Sequence, residues 1–81
     1  SRSKEFVFVG ALVPGRNIDM LLEVFAKTSK INITFIGYGP LKDKILSFSN
    51  SHDNITYLGS LEPHQLVAEV AKYDIGLNLL E

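Results

Sequence analysis

The sequence predicts an α/β domain with a doubly wound parallel sheet, and three observations predict it. Short apolar runs rich in β-branched and aromatic residues recur along the chain, a glycine follows each of the first three, and apolar residues at helical spacing come next. These glycines are Gly10, Gly37 and Gly59. Strands that alternate with helices through short connections predict a parallel sheet with helices on both faces, in three layers.

The first strand is predicted at residues 5–9, whose side chains are apolar on both faces, as in a buried parallel strand. A helix is predicted next, because apolar residues recur on one helical face at Ile18, Leu21, Leu22 and Phe25. Asn17 is expected to be its N-cap. The turn that contains Gly10 is expected to direct backbone N–H groups and the helix N-terminus at an anionic ligand.

The second strand is predicted at residues 32–36 and the third at residues 55–58. Pro40 and Pro63 are expected in the first turns of the second and third helices. The apolar stripes of these two helices are predicted at Leu41, Ile45 and Phe48, and at Leu66, Val67, Val70 and Ala71. The polar residues 47–54 predict a solvated loop.

A fourth strand is predicted at residues 74–80, and the doubly wound rule predicts the spatial strand order 3-2-1-4. Residues 1–4 are expected to form a linker. A doubly wound sheet normally continues beyond a fourth strand, so residues 1–81 are expected to form part of one incomplete domain. The apolar side chains Ile75, Leu77 and Leu79 predict self-association through an uncovered fourth strand.

Composition excludes several classes of function. The chain has 81 residues and a net charge of −1, which provides no basic surface for nucleic acid. It has no cysteine, so disulfides and thiolate metal sites are excluded, as expected of a cytoplasmic protein. No apolar run approaches the roughly 20 residues that span a bilayer. The two histidines, His52 and His64, have no serine or carboxylate at a spacing that identifies a catalytic base, and no cluster has metal-ligand spacing.

Two local signals allow more than one interpretation. Arg16, the cation of the first glycine loop, is either a bidentate phosphate ligand or a surface arginine that the helix dipole disfavours. The segment Gly37-Tyr38-Gly39 is a weak match to a dinucleotide fingerprint, because Lys42 occupies the third glycine position. Its glycines also suit a tight turn between a strand and a helix.

Read in order, the glycine loops resemble the nucleotide-sugar-binding domain of GT-B-fold glycosyltransferases, in particular the retaining enzymes of family 4. That family has the motifs F-V-G-R-L, G-D-G-P, N-V-x-F-L-G-x-V and A-D-V in this order. The matching segments are Phe8-Val9-Gly10-Ala11-Leu12, Gly37-Tyr38-Gly39-Pro40, residues 54–61 and Tyr73-Asp74-Ile75. The resemblance therefore extends from about residue 6 to the end of the chain and implies a Rossmann-like fold.

The resemblance implies a donor site but no catalytic residue. Arg16 would contact the diphosphate, and Gly10 would allow phosphates or sugar to approach the backbone. The other implied donor-binding residues are Gly37, Gly39, Ser60 and Leu61, of which Gly39 would lie beside the nucleotide and Ser60 and Leu61 would line the base. The chain departs from the family at Ala11 (arginine), Arg16 (lysine), Asn17 (glycine) and Tyr38 (aspartate). The E-x7-E segment of the family would lie beyond Glu81.

The implied parent protein is a retaining enzyme that transfers a sugar from a UDP- or GDP-linked donor to a glycan, lipid or other acceptor. No metal or other cofactor is expected, since a cation and helix-terminal N–H groups can stabilise the leaving diphosphate. The acceptor would bind to a separate N-terminal domain, so the 81 residues alone are expected to be inactive. The expected location is cytoplasmic, or peripheral at the cytoplasmic membrane face. The alternatives are a non-catalytic nucleotide-sugar-binding or assembly module and a flavodoxin-like regulatory domain.

Overall fold

The structure is a computed structural model that describes residues 4–77. Its helices and strands alternate along the described chain in the order β1 (Lys4–Val9), α1 (Ile18–Ala26), β2 (Ile31–Ile36), α2 (Lys42–Ser51), β3 (Ile55–Gly59), α3 (Pro63–Val70) and β4 (Ile75–Leu77). None of these helices is both long enough and apolar enough to cross a membrane. Residues 1–3 of the predicted linker and residues 78–80 of the predicted fourth strand lie outside the described residues, as does Glu81.

The four strands form one parallel sheet in the order β3-β2-β1-β4. This confirms the predicted fold class and strand order. The chain winds from β1 to β3 in one direction and then crosses back to place β4 on the other side of β1. Phe8 is therefore paired with Phe35 of β2 on one side and with Leu77 of β4 on the other. The carboxyl ends of β1 and β4 form the switch point, where ligands of such sheets usually bind.

The main core lies between the sheet and the pair α1 and α2. Phe8 and Phe35 are in contact there, with ring centroids 5.6 Å apart. The buried residues of this cluster are Phe8, Leu12, Ile18, Leu22, Phe25, Ile33, Phe35, Ile45 and Ile55. Val7 and Ile36 are also buried, and because side chains alternate along a strand they lie on the opposite face of the sheet. The two central strands are thus covered on both faces, as the apolar runs predict.

Helix α3 lies on that second face, because its Leu66 lines one cavity together with Val9 and Ile36, whose side chains point to that face. It begins at Pro63, as predicted, and the side chains of Glu62 and Gln65 form a capping box. The predicted apolar stripe is only partly correct. Leu66 and Val70 are half-buried, whereas Val67 is 72% exposed and Ala71 is exposed. Val67 is one residue from Leu66, about 100° around the helix, and so lies beside the strip that meets the sheet.

Several predicted boundaries are wrong. β1 begins at Lys4, although the sequence predicts that this residue belongs to the linker. Residues 47–51 belong to α2 and not to the predicted loop. Ser47 and Ser51 are exposed on this helix, and Ser51 Oγ donates to the carbonyl of Ser47 (3.1 Å). The polar composition of residues 47–54 is therefore the reason why the sequence predicts a loop there. Pro40 lies in the turn before α2, and Leu41 is the N-cap.

Asn17 occupies the predicted N-cap position of α1 but does not cap it with its side chain. Its backbone is left-handed, with φ of 63°. Asparagine tolerates this conformation better than most residues. The reason for an asparagine at this position is therefore the turn, and not a side-chain hydrogen bond to the helix.

The contact between Tyr73 and Glu69 connects the end of α3 to the start of β4. Tyr73 Oη donates to Glu69 Oε2 (2.7 Å), and Lys72 Nζ donates to Glu69 Oε1 (3.2 Å). These two hydrogen bonds hold the pKa of Glu69 below its ordinary value, with Tyr73 the larger cause. Burial, as the largest cause, raises the pKa of Tyr73. A lowered carboxylate pKa stabilises the fold above the ordinary glutamate range, and this stabilisation disappears as the pH falls through the folded-state pKa.

Tyr73→Phe should therefore raise the pKa of Glu69 and destabilise the fold by about 1 kcal/mol at neutral pH. The pKa is measured by carboxyl-carbon NMR titration and the stability by urea unfolding. The same substitution in a Glu69→Gln background is the control, and there the loss should be smaller. An unchanged Glu69 titration in Tyr73→Phe would contradict the assignment.

Candidate functional site

Two of the cavities at the carboxyl edge of the sheet are lined by predicted donor-binding residues. The first, the glycine cavity, has a volume of about 280 Å³ and is formed by the loops that follow β1, β2 and β3. Its walls include four of the six predicted donor-binding residues, namely Gly10, Gly37, Ser60 and Leu61. Ala11 and Tyr38 also line it. The parallel topology thus brings together loops that are far apart in sequence.

Backbone crowding explains Gly37 in the wall of this cavity. Gly37 has φ of +150°, and a Cβ atom there would overlap the carbonyl oxygen of Gly10. Gly10 N donates to the carbonyl of Ile36 (3.1 Å), and Gly37 N donates to that of Gly59 (3.0 Å). Sequence reasoning expected N–H groups of the first glycine loop to point at an anion. The Gly10 N–H is instead engaged within the protein, because the loops pack directly on each other.

Gly39 packs against Leu12 instead of lining the glycine cavity. A Cβ atom on Gly39 would lie 2.5 Å from the Leu12 carbonyl oxygen. Leu12 N donates to the Tyr38 carbonyl (3.1 Å), and Leu41 N donates to the Leu12 carbonyl (3.0 Å). Gly39 therefore allows the loop after β1 to lie on the loop after β2, which positions the cavity wall at Tyr38.

Arg16 lies at a second cavity, the Arg16 cavity, with a volume of about 260 Å³. Its walls are Phe8, Arg16, Asn17, Met20, Leu21 and Leu77. Phe8 and Leu77 are paired between β1 and β4, so this cavity lies at the topological switch point. The neighbouring residue Val9 lines the glycine cavity. Since Phe8 and Val9 point to opposite faces, the two cavities lie on opposite sides of one strand end.

The charges around the two cavities differ. The described wall of the glycine cavity contains no charged side chain, whereas Arg16 places a guanidinium at the other cavity. The N-terminus of α3 is capped by the Glu62 carboxylate, so it does not present an uncompensated positive end. Asp19 in the first turn of α1 binds Lys44 of α2 (2.6 Å). Positive potential for an anion therefore comes from side chains more than from helix ends.

Sequence reasoning missed the role of Asn54. Its Nδ2 lies 2.6–2.9 Å from the carbonyl oxygens of Phe25, Thr28 and Ile31, and so ties the end of α1 and the start of β2 to the start of β3. A cavity of about 450 Å³ lies beside it, at the amino edge of the sheet. Asn54 precedes a predicted strand and is the first residue of the segment 54–61 that matches a family motif, but neither signal indicates which carbonyls its side chain reaches.

Neither His52 nor His64 lies in the described wall of the glycine cavity or of the Arg16 cavity. His52 was expected to be solvated, but it is half-buried, with Nδ1 3.1 Å from the carbonyl oxygen of Phe48 and its ring stacked on the Phe48 ring. His52 is the C-cap of α2, and its stacking on Phe48, which packs against the core, accounts for the partial burial. His64 is exposed, 3.9 Å from Glu62. Within residues 4–77, no three His, Cys, Asp or Glu side chains come together in a way that could hold a metal ion.

No protein-family model matches the chain, and a search of curated protein sequences returns no match.

Proposed function

We propose that this chain is the nucleotide-sugar-binding part of a retaining glycosyltransferase. The observation that carries the proposal is the position of Arg16 at the switch point of a 3-2-1-4 parallel sheet. Ligands of doubly wound sheets bind in this crevice, and a guanidinium matches the geometry of phosphate oxygens. The motif resemblance supplies the class of ligand, a UDP- or GDP-linked sugar.

In this proposal the donor lies across the carboxyl edge, with its two ends on opposite sides of β1. Arg16 contacts the diphosphate, and Ser60 and Leu61 line the base in the glycine cavity. As the bond to the sugar breaks, negative charge grows on the diphosphate, and a fixed cation stabilises that charge. The acceptor comes from a separate domain that faces this edge, and no metal is required.

One alternative is a non-catalytic module that binds nucleotide sugars. Ala11 in the wall of the glycine cavity favours this alternative, because the described residues of that wall include no cation. The flavodoxin-like alternative is disfavoured, because those domains place their strands in the order 2-1-3-4-5. Here β1 lies between β2 and β4, and β3 is at an edge.

Arg16→Ala should weaken the binding of UDP or GDP by about tenfold or more, because charge-assisted hydrogen bonds to phosphate are lost. Calorimetric titration of the intact protein measures this effect. Uridine, which has no phosphate, should bind equally to both proteins, and Lys30→Ala, a change at an exposed lysine, should have no effect. Failure of the unsubstituted protein to bind UDP and GDP would overturn the proposed function.

Sugar transfer separates the enzyme from the binding module. The intact protein should hydrolyse or transfer the donor sugar, whereas the 81 residues alone should bind the nucleotide without turnover. Robust turnover by the 81 residues would contradict the two-domain site.

Self-association through β4 also remains a prediction, and it is supported by the exposure of Ile75, which is 38% exposed.

A further inference from the structure

Tyr38 is an exposed aromatic residue at the wall of the glycine cavity. It is 70% exposed, although its neighbours in the loop are tightly packed. Burial in the core therefore does not explain an aromatic side chain at this position. An exposed ring beside a cavity offers a flat apolar surface on which another ring can stack.

The backbone on both sides of Tyr38 is held by hydrogen bonds. Tyr57 Oη donates to the Gly37 carbonyl (2.9 Å), and Leu12 N donates to the carbonyl of Tyr38 itself (3.1 Å). On the other side, Lys42 N donates to the Gly39 carbonyl (3.1 Å). The ring thus projects from a fixed loop, so a ligand that stacks on it would not have to order the backbone.

Lys42 supplies a positive charge at the same ring. Its Nζ lies 5.9 Å from the centroid of the Tyr38 ring, within the range of a cation–π contact. Lys42 is also the first residue of α2, where the helix dipole disfavours a cation. Helix stability therefore does not explain the lysine, whereas a negatively charged ligand at the glycine cavity would.

We infer that Tyr38 and Lys42 form one binding element for a nucleoside diphosphate, in which the base stacks on the Tyr38 ring and Lys42 binds the phosphate. A nucleoside diphosphate matches the pair because it carries an aromatic ring and an anionic group a few bonds apart. The inference rests on the proposed function, and it places a cation at the Tyr38 ring of a cavity whose described wall residues include no cation. Arg16 would contact the same diphosphate from the other side of β1.

Three probes separate the two roles in calorimetric titrations of the intact protein: UDP, uridine and inorganic pyrophosphate. Tyr38→Ala should weaken the binding of UDP and of uridine about tenfold, as expected for the loss of one stacking contact. The binding of pyrophosphate should be unchanged. Lys42→Ala should weaken the binding of UDP and of pyrophosphate several-fold and leave the binding of uridine unchanged. Tyr38→Phe, which keeps the ring, should bind UDP like the unsubstituted protein.

Lys30→Ala is the matched control for the loss of one exposed lysine, and circular dichroism verifies that each variant is folded. If the unsubstituted protein binds no UDP or GDP, the proposed function and this inference fail together. If it binds UDP and the Tyr38→Ala and Lys42→Ala variants bind equally well, only this inference is overturned. Equal losses for all three probes in either variant would also overturn it, because the two roles would not be separate.

Discussion

Gly37→Ala should destabilise the chain by roughly 2–5 kcal/mol, a large part of the stability of a domain this small. Two costs add at this position. Its φ of +150° is unfavourable for alanine, and the new Cβ atom would overlap the Gly10 carbonyl oxygen. Because that oxygen belongs to the backbone of a packed loop, it cannot move aside without displacing the end of β1. Urea unfolding with a fluorescence or circular dichroism readout measures the loss.

Two other glycines separate these costs. Gly15 has φ of +94°, and a Cβ atom on it would have no other atom within 4 Å, so Gly15→Ala tests backbone strain alone. Gly39→Ala tests crowding at an ordinary backbone angle, with Leu12 O at 2.5 Å. We expect Gly15→Ala to cost about 1 kcal/mol and Gly39→Ala an intermediate amount. If Gly37→Ala destabilised the chain no more than Gly15→Ala, the close approach of Gly37 to the Gly10 carbonyl oxygen would be contradicted.

Asn54→Asp should destabilise the fold by about 2–4 kcal/mol. The aspartate has nearly the same shape, but an ionised carboxylate cannot donate. The carbonyls of Phe25, Thr28 and Ile31 would then face negatively charged oxygens in place of an N–H donor. Unfolding in urea at neutral pH measures the change.

Asn54→Ala removes the donor without adding charge, and we expect it to cost less than Asn54→Asp. Asn50→Asp is the control, since Asn50 is exposed on α2, and its effect should stay within about 0.5 kcal/mol. Stability of Asn54→Asp equal to that of the unsubstituted chain would show that the three carbonyls do not depend on this side chain.

Periodicity made much of the fold predictable. The apolar runs specified strands that are buried on both faces, and the spacing of Ile18, Leu22 and Phe25 specified the buried side of α1. The same reasoning predicts the apolar stripe of α2 at Leu41, Ile45 and Phe48, and these residues do pack on the core. It fails only at the end of that helix, where the polar residues 47–51 predict a loop but continue α2.

The candidate site was predictable in its parts but not in its arrangement. The sequence indicated Gly10, Gly37, Ser60 and Leu61, and the loops that carry them do meet in one cavity. It also grouped Arg16 with them, whereas Arg16 lies at a separate cavity on the other side of β1. Which face of a strand end a loop residue reaches depends on the path of the turn, and sequence spacing does not encode that path.

By itself the sequence determined the order of strands and helices, the strand that joins the other edge of the sheet, and the positions where glycine follows a strand. Only the tertiary structure decided that Gly37 lies against Gly10 and that Asn54 reaches Phe25. The physical reason is range. Periodicity and turn chemistry act between residues a few positions apart, whereas the contacts of Gly37 and Asn54 join segments more than twenty residues apart that meet only when the strands take their register.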